Sequence, residues 1–256
     1  MSTEDLLTLG LLGAYLTMIA WDFAAPARPF PKLRFWRLKG LAFLVAFVAV
    51  SSVLPFFWDA HLGAHRLLDL TGLGTIAGSL VALLVYQVMA YWWHRALHRV
   101  PLLWRWFHQM HHSAERVDVF GAFYFSPLDM LGWTAVGSLS MVFVAGVTPE
   151  AALVANTVVT FIGFFNHSNV RTPRWLGYVI HRPESHALHH ERGVHAFNYA
   201  DIALVDMIFG TFRNPARWEG EAGFYDGASE RVLEMCIGRD VTTPPDGDAE
   251  RAAVAA

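Results

Sequence analysis

Long apolar runs separated by short polar stretches dominate the first two thirds of the chain. The first, Leu6 to Ala25, is long enough to cross a hydrocarbon core of about 30 Å as a helix. Its flank carries Glu4 and Asp5 where a signal peptide would be basic, and the run exceeds an h-region, so a retained membrane helix is expected. Gly40 to Trp58 and Gly74 to Trp93 are two further spans. Leu128 to Val147 and Glu150 to Phe165 are apolar runs parted by Gly146-Val147-Thr148-Pro149, a turn that predicts a helical hairpin returning to the side it left. Between spans, Pro26 to Lys39 holds Arg28, Lys32, Arg34, Arg37 and Lys39 and no acid, which marks a cytoplasmic loop. Asp59 to Leu73, with His61 and His65, is then a loop on the opposite side. The N-terminus is expected outside and the C-terminus inside.

The pattern predicts an all-α integral membrane bundle, about three spans plus the hairpin, capped on its cytoplasmic side by histidine-rich helices. Residues 1–73 read as N-terminal membrane helices, 74–213 as the catalytic region and 214–256 as a C-terminal extension. The stretch Asp240 to Ala256, rich in Pro, Asp and Ala, is expected to be a disordered tail. Composition agrees with a membrane protein: 54% of residues are hydrophobic and only 16% charged, with a mean hydropathy of +0.34. A net charge of −3 argues against a nucleic-acid partner. A single cysteine, Cys236, excludes an internal disulfide framework and a cysteine-based zinc or iron–sulfur site.

The histidines change the picture most. Val100-Pro101 ends the third helix just after His94 and His98, which are one helical turn apart. A second helix, Leu102 to Ser113, carries His108, His111 and His112, and its Trp104, Trp106 and Phe107 suit the membrane surface. His186, His189 and His190 repeat the H-x-x-H-H spacing, and His167 surfaces after the hairpin on the same side. Residues three and four apart share a helix face. Eight grouped imidazoles exceed what one ion binds, so two metals in one nest are expected. Imidazole serves iron and zinc alike, but oxidation of an unactivated lipid C–H bond needs a redox metal, and zinc has no redox chemistry.

The motifs H-R-A-L-H (94–98), H-Q-M-H-H (108–112) and H-A-L-H-H (186–190), with N-H-S-N (166–169) and N-Y…D-x-x-F-G-T (198–211), resemble the fatty acid hydroxylase superfamily, also called the sterol desaturase family. The likeness runs from about Val81 to Phe212. It implies an oxygen-dependent di-iron membrane enzyme that hydroxylates or desaturates a sterol, fatty acyl, carotenoid or ether lipid. By the family's pattern His94, His98, His108, His111, His112, His167, His186, His189 and His190 are the metal ligands, for two iron ions that zinc can replace in purified protein. Some relatives place a histidine where this chain has Arg171, which leaves His181 and His195 as candidates to complete the set. Asn166, Asn169, Asp118, Asp201 and Asp206 are candidates to orient the imidazoles. No cytochrome-like segment is evident, so electrons are expected from a separate ferredoxin- or cytochrome-type donor with its reductase. Arg95, Arg99, Arg105 and Arg116 would dock such a donor or anchor the chain at the membrane surface.

Rival readings fit less well. A zinc protease needs H-E-x-x-H, and the nearest match, His190-Glu191 with His195, is five apart and interrupted by Gly193. A bis-histidine haem carrier would hold histidines within facing spans. A non-enzymatic membrane metal-binding or transport protein would place polar groups inside its spans, which are nearly bare.

Overall fold

A computed structural model describes residues 1–245, and the tail expected beyond them lies outside the described residues. Helix α1 (Thr3–Ala24) opens at a capping box, in which Ser2 Oγ accepts from the Asp5 amide and the Asp5 carboxylate accepts from the Ser2 amide. Helices α2 (Trp36–Val53) and α3 (Pro55–Ala64) run on through Leu54, which keeps helical dihedrals. Pro55 divides the two segments: it has no N–H to give the Ser51 carbonyl, yet its fixed φ is helical and the chain keeps its course. The expected loop at His61 is therefore helical. His61 sits on α3 and His65 caps it, with its Nδ1 2.9 Å from the His61 carbonyl.

Helix α4 (Gly74–Arg99) has 26 residues, about 39 Å of rise. Beyond Val100, Pro101–Leu103 and Gln109–His112 are α-helical and flank a π turn at Trp104–His108. Helix α5 (Pro127–Ser138) is capped by Ser126 and continues as π turns through Leu139–Val144. The predicted hairpin turn follows: Gly146 takes φ +55°, Thr148 caps the next helix through the Ala151 amide, and Pro149 is its first residue. Helix α6 (Pro149–His167) completes the hairpin.

Packing between α4 and α6 places the histidines. Gly78, Ala82, Tyr86, Ala90 and His94 form a buried stripe at every fourth residue of α4. Ala151 and Ala155 of α6 are buried in turn, and a Cβ built on Gly78 would lie 3.1 Å from that of Ala151. Small residues let the helices approach closely, as membrane helices commonly do. Gly78 and Ala151 lie near the start of their helices, so the two run parallel and reach their histidines together. The hairpin tip is tied at the other end, where the Leu67, Leu68 and Leu70 amides donate to the Phe143, Val144 and Gly146 carbonyls. His61 and His65 belong to that far end.

Four helical stretches are long and apolar enough to cross a membrane: Thr3–Ala24, Trp36–Ala64, Thr71–Arg99 and Pro127–Val144. Large apolar side chains on α1 and α2 stay exposed, Leu12, Leu16, Val45 and Val48 among them. An integral membrane helical bundle is the fold expected from the sequence. Short helices α7 (Pro183–His189), α8 (Ala203–Ile208) and α9 (Val232–Cys236) cover the histidine end. Val241 is fully buried beside Met110 and Met235, so the stretch expected to be loose from Asp240 is packed at its start.

Candidate metal centre

All nine predicted histidines meet, in two adjoining groups. His94, His98, His108, His112 and His189 form one, and His111, His167, His186 and His190 the other; within each, the ring nitrogens lie within 4.8 Å of one another. Each H-x-x-H-H triplet is divided. The members four apart, His108 with His112 and His186 with His190, stay together, while His111 and His189 cross to the other group. The π turn ends at His108, and π turns are frequent at functional sites. Between the groups, the His112 and His190 rings stack with centroids 4.1 Å apart.

Hydrogen bonds fix which nitrogen faces inward. Nδ1 of His94 lies 2.8 Å from the Tyr199 carbonyl, that of His108 2.8 Å from the Asp129 carboxylate, that of His167 2.9 Å from the Gly163 carbonyl and that of His189 2.7 Å from the Phe197 carbonyl. The three carbonyls only accept, and the Asp129 carboxylate accepts in its ionised form, so each Nδ1 carries the proton and each neutral ring turns an Nε2 lone pair inward. Yet Nε2 of His94 and of His108 are 3.0 Å apart. Two lone pairs at that distance repel unless a cation lies between them. In the second group the Nε2 atoms of His186 and His167 are 3.0 Å apart, those of His167 and His111 3.2 Å, and those of His190 and His186 3.0 Å. Ligands roughly 2.1 Å from one ion at right angles are about 3.0 Å apart, so the spacing fits a shared metal. The buried Nε2 atoms of His98, His112 and His189 have no protein partner. The residues present fit two ions held by imidazole alone.

Two of the carbonyls that orient the rings, those of Phe197 and Tyr199, come from a strained loop. His195, Phe197 and Asn198 have φ of 39°, 71° and 50°, a region costly for residues other than glycine. Asp206 holds this loop, accepting from the Tyr199 amide at 2.8 Å, the Ala200 amide at 2.9 Å, the Thr211 hydroxyl at 2.6 Å and His181 Nε2 at 3.0 Å. Asn198 donates to the Ser185 carbonyl at 2.9 Å and accepts from the Arg213 amide at 2.7 Å. The N-Y…D-x-x-F-G-T motif is thus the brace behind His94 and His189.

Several sequence expectations are refined. His181 is bound to Asp206 and stands outside both groups. His195 also stands outside them, with its Nδ1 3.1 Å from Nδ1 of His112. Asp201 pairs with Gln87 at 3.0 Å and Asn169 with the Arg28 backbone at 2.8 Å, while Asp118 bonds Trp36 and Arg116. None of these three touches a grouped histidine, and Asn166 Oδ1 is buried without a partner. Of the proposed docking cations, Arg95 bonds Tyr91 and Arg116 bonds Asp118. Asp129, which is not among the residues expected from sequence, is the carboxylate that orients His108. Its signal was a lone acid two residues after Ser126-Pro127 at the head of an apolar run.

Burial, reinforced by neighbouring imidazoles, holds His108, His111, His112, His186, His189 and His190 well below the usual histidine range of 6.5. The folded protein keeps these rings neutral and ready to ligate, whereas the unfolded chain protonates them near 6.5. The unfolded state therefore binds more protons as pH falls, and stability present above about pH 6.5 is lost below it. The melting temperature of metal-free protein should fall steadily between pH 7.5 and 5.5; a flat profile would contradict neutral burial.

A family model described as fatty acid hydroxylase matches residues 79–211, just over half of the chain. An ornithine lipid hydroxylase, OlsE, from Rhizobium tropici is 32% identical over 142 residues, 54% of this chain and 42% of the relative. The very-long-chain aldehyde decarbonylase GL1-9 of Oryza sativa subsp. indica is 29% identical over 52% of this chain and 53% of its own. Human alkylglycerol monooxygenase is 30% identical over 48% of this chain and 27% of its own. The chain spans about half or less of the length of these curated relatives. No solved structure matches it at a comparable level.

Proposed function

Because the chain belongs to the fatty acid hydroxylase family, we propose that it is an oxygen-dependent di-iron oxidoreductase that hydroxylates or desaturates a lipid at a C–H bond. The observation that carries this reading is the double nest of inward lone pairs, five imidazoles in one group and four in the other. Bound iron would supply the redox chemistry that activates oxygen. The chain's own part is to hold the rings, exclude water and present the lipid. Tyr199, Phe197 and Gly163 carbonyls and the Asp129 carboxylate keep Nδ1 protonated, so Nε2 stays available. Next to the rings the wall is apolar: Phe125 lies 4.9 Å from His111 and Trp133 5.6 Å from His94, centroid to centroid. Phe125 continues into a cluster of its neighbour Phe123 with Tyr15, Met130 and Phe164 of three helices, a surface suited to an acyl, isoprenoid or sterol body. The lipid-modifying relatives named above support the substrate class. Electrons come from a separate one-electron donor protein with its reductase.

Metal analysis of well-folded protein should give two ions per chain, iron in active preparations and zinc in some overexpressed ones, since zinc ranks above iron for such ligands. A value near one overturns the dinuclear reading. Lipid profiles of a host expressing the chain, beside a His111→Ala control, should identify the oxidised product, and unchanged profiles would remove the enzymatic reading in favour of a metal-binding protein.

We also propose that the histidine end faces the cytoplasm of an inner-membrane protein. The five-cation loop lies at that end, where the Ala27 amide donates to the Asn169 carbonyl at 2.8 Å, two residues past His167. In a Cys236→Ser background, an introduced Glu219→Cys should resist a membrane-impermeant maleimide in intact cells and react after lysis. Labelling before lysis would reverse the orientation.

A further inference from the structure

At the edge of the cation-rich loop the surface opens into a notch of about 350 Å³ lined by Lys32, Leu33, Phe35, Trp36, Arg37, Leu38 and Arg116. Its floor is fixed from behind. Trp36 Nε1 donates to Asp118 at 2.9 Å, and Arg116 bonds Asp118 through Nε and the Pro31 carbonyl through Nη1. Asp118 is fully buried behind both and offsets Arg116, while the lining of the notch itself carries no acid. Lys32 and Arg37, both exposed, have no ion-pair partner among the described residues, whereas neighbouring Lys39 is paired with Glu230 at 2.7 Å. Arg37 is held in place over the Phe23 ring, 4.1 Å from its centroid. Two cations without a direct ion pair, with Arg116 behind them and Asp22 as an acid in range of Arg37, converge on one small recess.

The recess also has an apolar continuation. Leu38, Leu41, Val45 and Val48 are 66%, 46%, 61% and 52% exposed, and their spacing of three, four and three puts them in one line down α2. That line leads from the notch into the membrane-spanning part of the helix. Phe35, with φ +53° and 62% exposed, stands beside the entrance. An anion alone would satisfy Lys32 and Arg37 but leave the stripe to chance. A molecule with a phosphate at one end and a hydrocarbon chain at the other satisfies both, and the bilayer supplies it at the right depth, because clustered cations beside a span attract anionic lipid.

We propose that this notch binds the phosphate headgroup of an anionic phospholipid from the leaflet on the histidine side, with one acyl chain along Leu38, Leu41, Val45 and Val48. The site is separate from the histidine nest and does not depend on what the nest binds. It does join the bilayer to the loop that ends beside the nest: Trp36 and Arg116 share Asp118, and the chain runs on from there to Phe123 and Phe125.

Native mass spectrometry of the full-length protein with equal amounts of phosphatidylglycerol and phosphatidylcholine tests it. The wild type should retain phosphatidylglycerol preferentially, and Lys32→Gln with Arg37→Gln should lower that retention at least fivefold. Arg174→Gln with Arg217→Gln, exposed cations elsewhere, should leave it unchanged, and Lys32→Arg with Arg37→Lys should preserve it. Equal retention of the two lipids, or equal loss in the Arg174/Arg217 control, overturns the site. A separate arm adds inorganic phosphate: if millimolar phosphate displaces the lipid fully, the notch is a soluble-anion site and the lipid assignment fails.

Discussion

Replacing a single grouped histidine by alanine is expected to remove one metal before the other. His98→Ala or His112→Ala should empty the centre built from His94, His98, His108, His112 and His189, and His186→Ala or His167→Ala the centre built from His111, His167, His186 and His190. Each loss deletes an inward lone pair from a set of five or four and opens the arrangement that the remaining rings share. Metal content should therefore drop from two ions toward one per chain, and lipid oxidation should vanish in either case. His61→Ala and His65→Ala should leave both unchanged, because these residues lie with the hairpin tip at the opposite end of α4, a helix of 26 residues. No side chain spans that length. Metal quantitation on each purified variant decides it: a His61→Ala protein without metal, or a His167→Ala protein with two ions and full activity, would break the grouping at that residue.

The second large effect is expected at Asp129. Its carboxylate lies 2.8 Å from Nδ1 of His108, and both residues are almost wholly buried. Asp129→Leu removes the acceptor and leaves a buried N–H unmet, so the ring is free to turn and present the wrong nitrogen. Losing such an orienting partner commonly costs about 10–100-fold in metal affinity. Asp129→Asn, whose amide oxygen can still accept, should lose less than Asp129→Leu. Competition titration with a chelator measures the affinity directly, and equal affinities for wild type and Asp129→Leu would show that His108 needs no such partner.

What the sequence made legible follows from what is local. Spacings of three and four within a helix are local, and so are apolar runs and the Gly146–Pro149 turn; the spans, the hairpin and all nine converging histidines could be read from them. The division of each triplet between two groups could not, because a shared helix face does not say which neighbour each ring will meet. The π turn at Trp104–His108 was hidden for a related reason: an extra residue in a turn leaves no mark in an aromatic-rich pattern. The second span, predicted from Gly40 to Trp58, runs on to Ala64, because Leu54 keeps helical dihedrals and the fixed φ of Pro55 is compatible with a helix. Asp129 was absorbed into an apolar run, and the Tyr199, Phe197 and Gly163 carbonyls belong to the backbone, which every residue carries. His181 and Asp206 are 25 positions apart, a pairing set by tertiary folding alone.

His111 and His112 are neighbours in the chain yet face different centres, and so are His189 and His190. Adjacent Cα atoms are held about 3.8 Å apart by the peptide bond. The two histidine groups are thus joined by covalent backbone at two independent places, and among the described residues neither group contains a carboxylate to act as an adjustable bridge. Two ions held by these groups would then be tied to each other through rigid backbone rather than through a side chain free to shift, as though mounted on one ruler.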